Sequence, residues 1–496
     1  ICPTCKGQRL NSKILSSKIM SKNISDFTQM TIKENLEFLN KLEDPTAKYI
    51  IDPLKKQLEA LEYIGLSYLT LNRVTTTLSG GEAQRLKLIR HLNSSLSDLV
   101  YIIDEPSVGL HPEDIAKINE ILKSLKDKGN TVLIVEHDPD VIKEGDYIID
   151  MGPGSGKNGG EITFEGTYNE LLSSNTSTGN ALRNKHNLKE NIREANHFYN
   201  IGPVTQNNLN NVKTSIPKHV LTVLTGVAGS GKSTLVKAGF ENNDHTIFID
   251  QKAVQGSNRS NLLTYLGVFD SVRSYFSKET GLNKAMFSYN SKGACPNCGG
   301  KGYIKTELAF MGDFSQTCEV CHGKRYKQEV LDATIDGYSI ADVLNLTVDE
   351  GIIFFDKKND IKSKLQSVSK TGLNYMSLGQ PLSTLSGGEI QRVKLGQHLD
   401  EEIKNSIFIF DEPTTGLHES DIPILMECFD DLIDQNNTVI LIEHNLSIMC
   451  EADWIIDVGP GPGLDGGKVQ FSGTPKNFID SSETLTSKHL KRYIKQ

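Results

Sequence analysis

The sequence has no apolar run close to the ~18 residues that a membrane helix requires, since its most apolar stretches are strand-length runs such as residues 407–410. Its opening residues, ICPTCKGQRLNSK, do not have the basic-then-apolar order of a signal peptide. Cysteine is also scarce, because eight residues in 496 are too few for a disulfide scaffold. These absences argue against a membrane span and against secretion, and they predict a cytoplasmic protein.

The composition is that of a folded globular protein, with 37% hydrophobic and 23% charged residues. A chain of 496 residues is long enough for about three domains. The formal net charge of −9 excludes a small nucleic-acid module whose whole surface is basic. A large protein with a local basic groove remains compatible with that charge.

Four sequence motifs occur twice, in the same order. Three of them recur 307 residues later and the fourth recurs 316 residues later. The pairs begin at Leu78 and Leu385 (LSGGE), Asp104 and Asp411 (DEP), Glu136 and Glu443 (EH), and Cys2 and Cys318 (CxxC). Four motifs at nearly constant spacing indicate a tandem duplication.

The first copy is incomplete. The second copy has a glycine-rich loop at 226–233 and a CxxC pair at 295–298, and first-copy counterparts at the same spacing would precede residue 1. We therefore expect the chain to be the C-terminal part of a longer protein, or one product of a split gene. A polar stretch at about 174–198 is expected to link the two copies.

The glycine-rich loop predicts a phosphate site. Residues 226–233, GVAGSGKS, match GxxxxGK[ST] without a mismatch, between an apolar run and helix-like sequence. Backbone N–H groups of such a loop wrap a phosphate at a helix N-terminus. Lys232 would bridge the β- and γ-phosphates of ATP, and the Ser233 hydroxyl would hold Mg²⁺. The predicted binding residues are Gly226, Val227, Ala228, Gly229, Ser230, Gly231, Lys232, Ser233 and Thr234.

Acidic residues end a predicted buried strand. The apolar run at 406–410 leads into Asp411 and Glu412. Together with the phosphate loop, this predicts Asp411 as a Mg²⁺ ligand and Glu412 as the general base for the attacking water. His444 follows the apolar run 439–442, where an imidazole can contact a γ-phosphate. A purely structural histidine is the alternative, and its recurrence as His137 favours a functional one.

Two CxxC pairs separated by 19 residues predict a closed, tetrahedral, non-catalytic Zn²⁺ site. Reduced thiols without a metal are the alternative. Cys2 and Cys5 are half of an equivalent site, and Cys428 and Cys450 are expected to be buried apolar fillers. The predicted zinc ligands are Cys295, Cys298, Cys318 and Cys321.

LSGGE, the phosphate loop, DEP and EH together resemble an ABC-type ATPase. The resemblance implies an α/β fold of tandem P-loop nucleotide-binding domains, with helical signature subdomains and four-cysteine zinc modules. It also implies that the signature of one copy contacts the γ-phosphate bound to the other. Ser79, Gly80 and Gly81 would then complete the site at 226–233, and Gln251 would sense Mg²⁺ and the attacking water.

A mirror site would be built from the opposite halves, but it has no phosphate loop in this sequence. Its members would be Asp104, Glu105 and His137 with Ser386, Gly387 and Gly388.

The same resemblance divides the chain into six parts. They are the end of a zinc module and a first signature subdomain (1–66), the C-terminal part of nucleotide-binding domain I (67–185), a linker (186–200), the phosphate-loop part of nucleotide-binding domain II (201–290), a zinc module and second signature subdomain (291–365), and the C-terminal part of domain II (366–496).

A zinc module inserted between the phosphate loop and LSGGE is not a transporter arrangement, and in tandem copies it is similar to the UvrA family. The motifs that carry the similarity span nearly the whole chain and include TLSGGEAQRLKL, IDEPSVGLHP, IIDMGPGSGKNGG, CEVCHGKRY, LGQPLSTLSGGEIQRVKL and IIDVGPGPG. It implies an ATPase that binds DNA and recognises damaged or distorted duplex in nucleotide excision repair, with no nuclease activity of its own. It also implies a homodimer, and a UvrB-type partner bound through a region upstream of this sequence.

Two departures support an alternative. The loop has Ala228 where the repair subunit usually has serine, and DQKAVQGSNRSN and FEGT are similar to shorter UvrA-like paralogues. Those paralogues are linked to self-protection against DNA-intercalating drugs without a UvrB partner. A third hypothesis, a ribosome-associated ABC protein, is disfavoured because such proteins lack CxxC modules before LSGGE.

Six basic residues crowd the second zinc module and are candidates for DNA backbone contacts, which would suit recognition of deformed duplex over sequence. A solvated positive face is the alternative. The six are Lys292, Lys301, Lys305, Lys324, Arg325 and Lys327.

Overall fold

The computed structural model describes residues 2–495 except 79, 93–95, 155, 185–186, 253–259, 309–311, 400 and 402. Below, residues 2–184 are the first copy and residues 198–495 are the second copy. Both copies contain parallel strands and helices, so the α/β prediction is confirmed. Among the described residues, no helix combines the length and the apolar character needed to cross a membrane.

The first copy opens with helices. They are α1 (Ser12–Leu15), α2 (Ile24–Gln29), α3 (Ile32–Asn40), α4 (Lys48–Tyr63) and α5 (Gly80–Leu92). Thr31 caps α3 through a reciprocal bond with Glu34, which fixes where this helix begins. The buried faces of α3 and α4 form one core with the next helix, α6 (Pro112–Asp127).

The rest of the first copy alternates strands and helices. A strand, β1 (Val100–Asp104), lies between α5 and α6 in the chain. After α6 come β2 (Thr131–Val135), α7 (Pro139–Ile142), β3 (Ile148–Gly152), β4 (Glu161–Gly166), α8 (Tyr168–Ser173) and α9 (Ser177–Arg183). β1 and β2 are parallel, and β3 and β4 form a separate antiparallel pair. The stretch expected to be a linker, about 174–198, contains α9 and ends where the next strand begins.

The second copy begins with the half that carries the phosphate loop. Its elements are β5 (Phe198–Gln206), β6 (Leu209–Pro217), β7 (Leu221–Thr225), α10 (Lys232–Phe240) and β8 (Thr246–Ile249). All five residues of β7 are buried, as its unbroken apolar and β-branched run predicts for a central parallel strand.

A helical and cysteine-containing region follows. Its elements are α11 (Leu262–Tyr265), α12 (Phe269–Thr280), β9 (Tyr303–Leu308), β10 (Gly312–Thr317), α13 (Gln328–Asp332), β11 (Thr334–Ile335), β12 (Tyr338–Ser339), α14 (Ile340–Leu344), α15 (Val348–Phe354), α16 (Asn359–Val368) and α17 (Gly387–Leu399). The helices share one core that includes Phe276, Phe287 and Tyr326, which anchors the cysteine module to them.

The chain then returns to the main sheet. The last elements are β13 (Ile407–Asp411), α18 (Ile422–Asp434), β14 (Thr438–Ile442), α19 (Leu446–Glu451), β15 (Trp454–Gly459), β16 (Lys468–Gly473), α20 (Pro475–Ser481) and α21 (Leu485–Lys495).

The six-stranded sheet of the second copy positions the site. Its order is β16-β15-β7-β14-β13-β8, parallel except for β16. Apolar cores cover both faces, as a parallel sheet requires. Because β14 lies between β7 and β13, the loops after these three strands meet at one edge of the sheet.

The strands of the first copy leave one apolar face open in the described part of the chain. Five of its side chains are between 48% and 71% exposed: Val100, Ile102, Leu133, Val135 and Met151. Their second-copy counterparts, 307 residues later, are at most 1% exposed: Ile407, Ile409, Ile440, Ile442 and Val458. The counterparts pack against α10 and the β5–β6 hairpin. Among the described residues the first copy has no equivalent cover, as expected of a copy without a phosphate-loop half in this sequence.

Candidate functional site

The phosphate loop joins β7 to α10. A Cβ on Gly226 would lie 1.9 Å from the carbonyl oxygen of Val458, so only glycine fits there. Gly231 (φ 104°) caps α10, so the helix N-terminus opens toward the loop. Lys232 is buried and its Nζ donates to the carbonyl oxygens of Gly226 (2.7 Å) and Val227 (3.0 Å). Backbone N–H groups, a helix N-terminus and a buried ammonium together suit a phosphate chain.

Asp411 and Glu412 follow β13 beside this loop. The Ser233 hydroxyl donates to Asp411 Oδ1 at 3.4 Å, so the two predicted Mg²⁺ ligands face each other. Burial raises the pKa of Glu412 to about 7, with Asp411 and Glu443 adding to the effect. Burial also raises the pKa of Asp411. The oxygen donors present fit Mg²⁺, which prefers carboxylate and hydroxyl ligands beside phosphates.

Both copies hold a glutamate in the left-handed backbone region at the same place. Glu412 has φ 53° and Glu105, its counterpart 307 residues earlier, has φ 45°. Non-glycine residues rarely adopt this conformation, and it persists where surrounding structure enforces it. Recurrence in both copies marks this turn as a feature of the site.

His444 follows β14 and is held by its neighbour. The Glu443 carboxylate accepts from the backbone N–H of Thr414 (3.0 Å), His444 (2.7 Å) and Asn445 (3.1 Å). Within the described residues, the buried Nδ1 of His444 has no hydrogen-bond partner. Burial, together with Lys232 and His111, holds the pKa of His444 well below its usual value. A neutral imidazole with one unused nitrogen therefore borders the loop.

The first copy completes the cleft. A cavity of about 500 Å³ is bordered by Lys232 and Ser233 on one side and by first-copy residues on the other. Here it is called the composite cleft. Its first-copy residues are Tyr68, Arg73, Glu82, Arg85 and Gly109, and the other second-copy ones include Glu412 and His444.

The first signature stands at this cleft through its helix. Gly80 and Gly81 begin α5, and Glu82 and Arg85 on its first turns line the composite cleft. Ser79 lies outside the described residues. The helix that follows the first-copy signature therefore borders the cleft, as the predicted cross-copy contact requires. The role of Ser79, Gly80 and Gly81 in that contact stays a prediction.

Gln251 reaches the same loop from β8. Its Nε2 donates to the carbonyl oxygen of Glu412 (3.2 Å) and to the hydroxyl of Thr415 (2.9 Å). The structure thus places Gln251 next to the backbone of the turn that begins with Asp411 and Glu412, which is the acidic turn.

The predicted mirror-site residues divide into two groups. In the first copy, His137 Nδ1 lies 3.8 Å from Glu105 Oε1, and Asp104 is exposed at the end of β1. In the second signature, Ser386 caps α17 through Glu389. Cβ atoms on Gly387 and Gly388 would contact Gln251 and the Thr415 carbonyl oxygen, so this signature packs on the loops of its own copy.

The two groups approach each other at the second-copy loop that follows Glu412. A Cβ on Gly416 would lie 3.5 Å from Glu105 Oε1, so the first-copy glutamate faces the loop that follows Glu412. The role of the mirror-site residues stays a prediction.

Three residues of the site were not singled out from the sequence. Arg85 is buried at the composite cleft, where its charge lowers the pKa of Glu412 and His444. Glu443 holds the His444 loop, and a Cβ on Gly109 would lie 2.8 Å from Glu412 Oε2. All three belong to the repeated motifs, since their counterparts are Arg392, Glu136 and Gly416. The repeat could have found them, but not their partners.

The four second-module cysteines converge. Their ligand atoms all lie within 4.8 Å of one another, and all four are buried. The sulphurs of Cys298 and Cys321 are 3.7 Å apart, close to the ~3.8 Å that a zinc tetrahedron with bonds of about 2.3 Å requires. Gly302 N–H donates to the Cys298 sulphur (3.2 Å), as expected around thiolates. This donor set fits Zn²⁺. Cys2 is exposed and Cys5 half-buried.

The basic residues of this module differ in availability. Lys292, Lys301 and Lys327 are exposed, and so are Lys305 and Lys324, the latter 3.4 Å from Asp342. Arg325 is half-buried over the ring of Tyr289, 5.4 Å from its centroid. The exposed lysines are therefore better placed than Arg325 to meet a polyanion.

A buried histidine between the copies predicts pH-dependent stability. Burial, with Lys232, His489 and Lys117 nearby, lowers the pKa of His111 to about 3. In the unfolded chain the His111 imidazole takes up a proton near pH 6.5, whereas in the folded chain it does so only near pH 3. The free energy of unfolding therefore decreases as the pH drops from about 6.5 toward 3. At pH 5, His111 lowers the free energy of unfolding by about 2 kcal/mol.

Melting curves check this prediction. Between pH 7.5 and pH 5, we expect His111→Gln to lose less of its melting temperature than the unaltered chain. His245→Gln, at an exposed histidine, serves as the control and should follow the unaltered chain. Equal losses in His111→Gln and the control would contradict the prediction.

The ABC transporter family matches residues 209–415, which run from β6 through the acidic turn. The UvrABC system protein A of Clostridium perfringens is 43% identical over 99% of this chain and 57% of its own length. That of Bacillus subtilis is 41% identical over 100% of this chain and 56% of its own length. The chain thus spans a little over half the length of the curated relatives it matches.

Solved structures agree. The crystal structure of UvrA2 from Deinococcus radiodurans matches with a TM-score of 0.93 and 37% identity, over 99% of this chain and 66% of that one. A structure of ribosome-bound archaeal Pelota and ABCE1 matches with a TM-score of 0.51 at 18% identity, over 90% of this chain and 63% of that one, which shows a shared fold alone.

Proposed function

The chain belongs to the UvrA family of ABC-type ATPases, and we propose that it binds and hydrolyses ATP in the composite cleft to drive recognition of damaged or distorted DNA. One observation carries the ATPase part: the phosphate loop, the acidic turn and His444 share a cavity with the signature helix of the other copy. Both copies are needed to surround the phosphates.

Each residue has a distinct task in this proposal. The 226–233 loop and Lys232 bind the phosphates, and Arg85 adds a second cation from the first copy. Ser233 and Asp411 would hold Mg²⁺, which would neutralise phosphate charge when bound. Glu412 accepts the proton of the attacking water, and His444 contacts the γ-phosphate.

The DNA part rests on the family and on the zinc module. The exposed lysines of the module can neutralise backbone phosphates without reading bases. Such contacts suit a protein that senses duplex deformation. Dimerisation and a UvrB-type partner are further proposals from the relatives. Self-protection against intercalating drugs is the second candidate, and it rests on Ala228 and on the segments DQKAVQGSNRSN and FEGT. The chain is more similar to the C. perfringens protein (43% identity) than to UvrA2 (37% identity).

Salt-dependent DNA binding tests this function. We expect the chain to bind a lesion-bearing duplex more tightly than an intact one, in fluorescence anisotropy with ATP present. Replacing Lys292, Lys301 and Lys327 by alanine should weaken binding, because each of these exposed lysines can neutralise a phosphate. The slope of log K against log salt is negative, and its magnitude should decrease by about 0.9 for each phosphate that is no longer neutralised.

A matched variant removes the same charge elsewhere. Lys476, Lys488 and Lys495 are exposed on α20 and α21, and their alanine variant should keep the original slope. Equal weakening in both variants would contradict a zinc-module interface. Preference for an intercalator-bound duplex over the lesion would support the second candidate, and preference for ribosomal RNA would support a ribosome-associated protein.

A further inference from the structure

A chain of hydrogen bonds crosses from one copy to the other. His111, at the start of α6 in the first copy, lies 3.0 Å from the hydroxyl of Thr486 on α21 in the second copy. Thr486 in turn donates to Asp457 Oδ1 on β15, at 3.3 Å. All three side chains are at most 3% exposed. Buried polar groups of this kind are costly to leave unpaired, so the bonds fix how the elements dock.

The direction of these bonds can be assigned. The backbone N–H of Glu113 donates to His111 Nδ1 at 3.2 Å, so the ring proton resides on Nε2 and is donated to Thr486. The Thr486 hydroxyl then donates to the Asp457 carboxylate. The lowered pKa of His111 agrees with a neutral ring. Thr486 is the link, because its hydroxyl both accepts and donates.

An equivalent series of hydrogen bonds starts from the second copy and ends in the first. His418 of the second copy lies 3.1 Å from the hydroxyl of Thr178 on α9 of the first, and Thr178 donates to Asp150 Oδ1 at 2.8 Å. The histidines and the aspartates are each related by 307 residues. A contact between copies that is made twice, by equivalent residues, argues against an accident of packing.

Both ends of the Thr486 chain lie beside the composite cleft. Asp457 pairs with Thr225, the last residue of β7 before the phosphate loop. At the other end, His111 closes the loop 107–110, in which Gly109 approaches the Glu412 carboxylate. These hydrogen bonds therefore connect β7, the strand that leads into the phosphate loop, to the first-copy loop 107–110, which contacts the proposed base Glu412.

We propose that Thr486, between Asp457 and His111, is a positioning residue for ATP hydrolysis: it sets the first-copy loop 107–110 against Glu412. The proposal rests on the proposed ATPase function. Nucleotide binding depends mainly on the phosphate loop of the second copy, whereas hydrolysis also needs the first-copy loop in register. Removal of the Thr486 hydroxyl should then lower kcat and leave KM for ATP nearly unchanged.

Steady-state phosphate release by the full chain tests this. We expect Thr486→Val to lower kcat about tenfold with KM for ATP changed less than about twofold. Thr486→Ser restores the hydroxyl and should recover kcat to within about twofold. Thr486→Ala also lacks the hydroxyl and favours the helix, and it gives the same readout should Thr486→Val prove unfolded in a melting curve.

The equivalent hydrogen bonds of Thr178 supply the matched control. Thr178→Val removes the equivalent hydroxyl on the side that has no phosphate loop in this sequence, so its kcat should stay within about twofold. An unchanged kcat in Thr486→Val, no recovery in Thr486→Ser, or an equal decrease in Thr178→Val would overturn the positioning role. Absence of turnover in the unaltered chain would instead overturn the proposed function, and the role of Thr486 with it.

Discussion

Glu412→Gln is expected to lower ATP turnover by about 10²- to 10⁴-fold, the contribution usual for a general base. The amide keeps the size of the side chain but cannot accept a proton from the attacking water. Binding of a fluorescent ATP analogue should persist, because Lys232 and the phosphate loop are untouched. Phosphate release and nucleotide binding measured on the same preparation check both halves of this expectation.

Glu427→Gln is the control for that experiment. Glu427 is exposed on α18, away from the composite cleft, and its variant should turn over ATP like the unaltered chain. Turnover of Glu412→Gln within about twofold of the unaltered chain would assign the base to another group. Failure of Glu412→Gln to bind the analogue would show instead that the carboxylate has a role in holding the nucleotide.

Cys318→Ser is expected to remove the zinc of the second module. Three thiolates and a hydroxyl bind Zn²⁺ far less well than four thiolates, and structural zinc contributes about 10–16 kcal/mol in small zinc domains. We expect about one zinc per chain at this site before the change and almost none after it, by atomic absorption. The module should then lose its order, because the four cysteines form a core of their own.

Cys428→Ser tests whether any buried cysteine would have the same effect. Cys428 is 3% exposed but lies on α18, in the core of the main sheet. This variant should keep its zinc even if its melting temperature falls. Unchanged zinc content in Cys318→Ser would show that the four sulphurs do not bind the metal. If the DNA proposal holds, Cys318→Ser should also weaken duplex binding while ATP turnover continues.

The repeat made much of this protein predictable. Leu78 and Leu385, or Asp104 and Asp411, identify two copies of one unit because a duplicated fold needs the same loops at the same places. The apolar run of β13 and the acids after it likewise predicted a strand that ends at a site. Local pattern suffices for such features, because strand, loop and ligand residue are neighbours in the chain.

Contacts between the copies were less predictable. The approach of Gly109 to Glu412 and the entry of Arg85 into the composite cleft join residues that are far apart in the chain. Resemblance to ABC-type ATPases implied that one signature faces the other copy's phosphates, but it named Ser79, Gly80 and Gly81. The buried arginine follows from the way α5 docks, which no local pattern encodes.

The polar stretch at about 174–198 is a further example. Its composition predicted a linker, yet it contains α9, and Thr178 of that helix bonds to Asp150 and His418. Serine and threonine are common in loops because they bond to nearby backbone. Their use between two copies becomes visible only when the partner side chains are in place.

By itself the sequence determined the duplicated α/β plan, the phosphate loop, the acidic turn and the four clustered cysteines, since each depends on spacing within one segment. The tertiary structure alone decided which residues of the first copy face the phosphate loop of the second, and that Thr486 joins Asp457 to His111. The reason is physical: these contacts arise from the docking of two separately encoded surfaces, and burial fixes their hydrogen bonds only after docking.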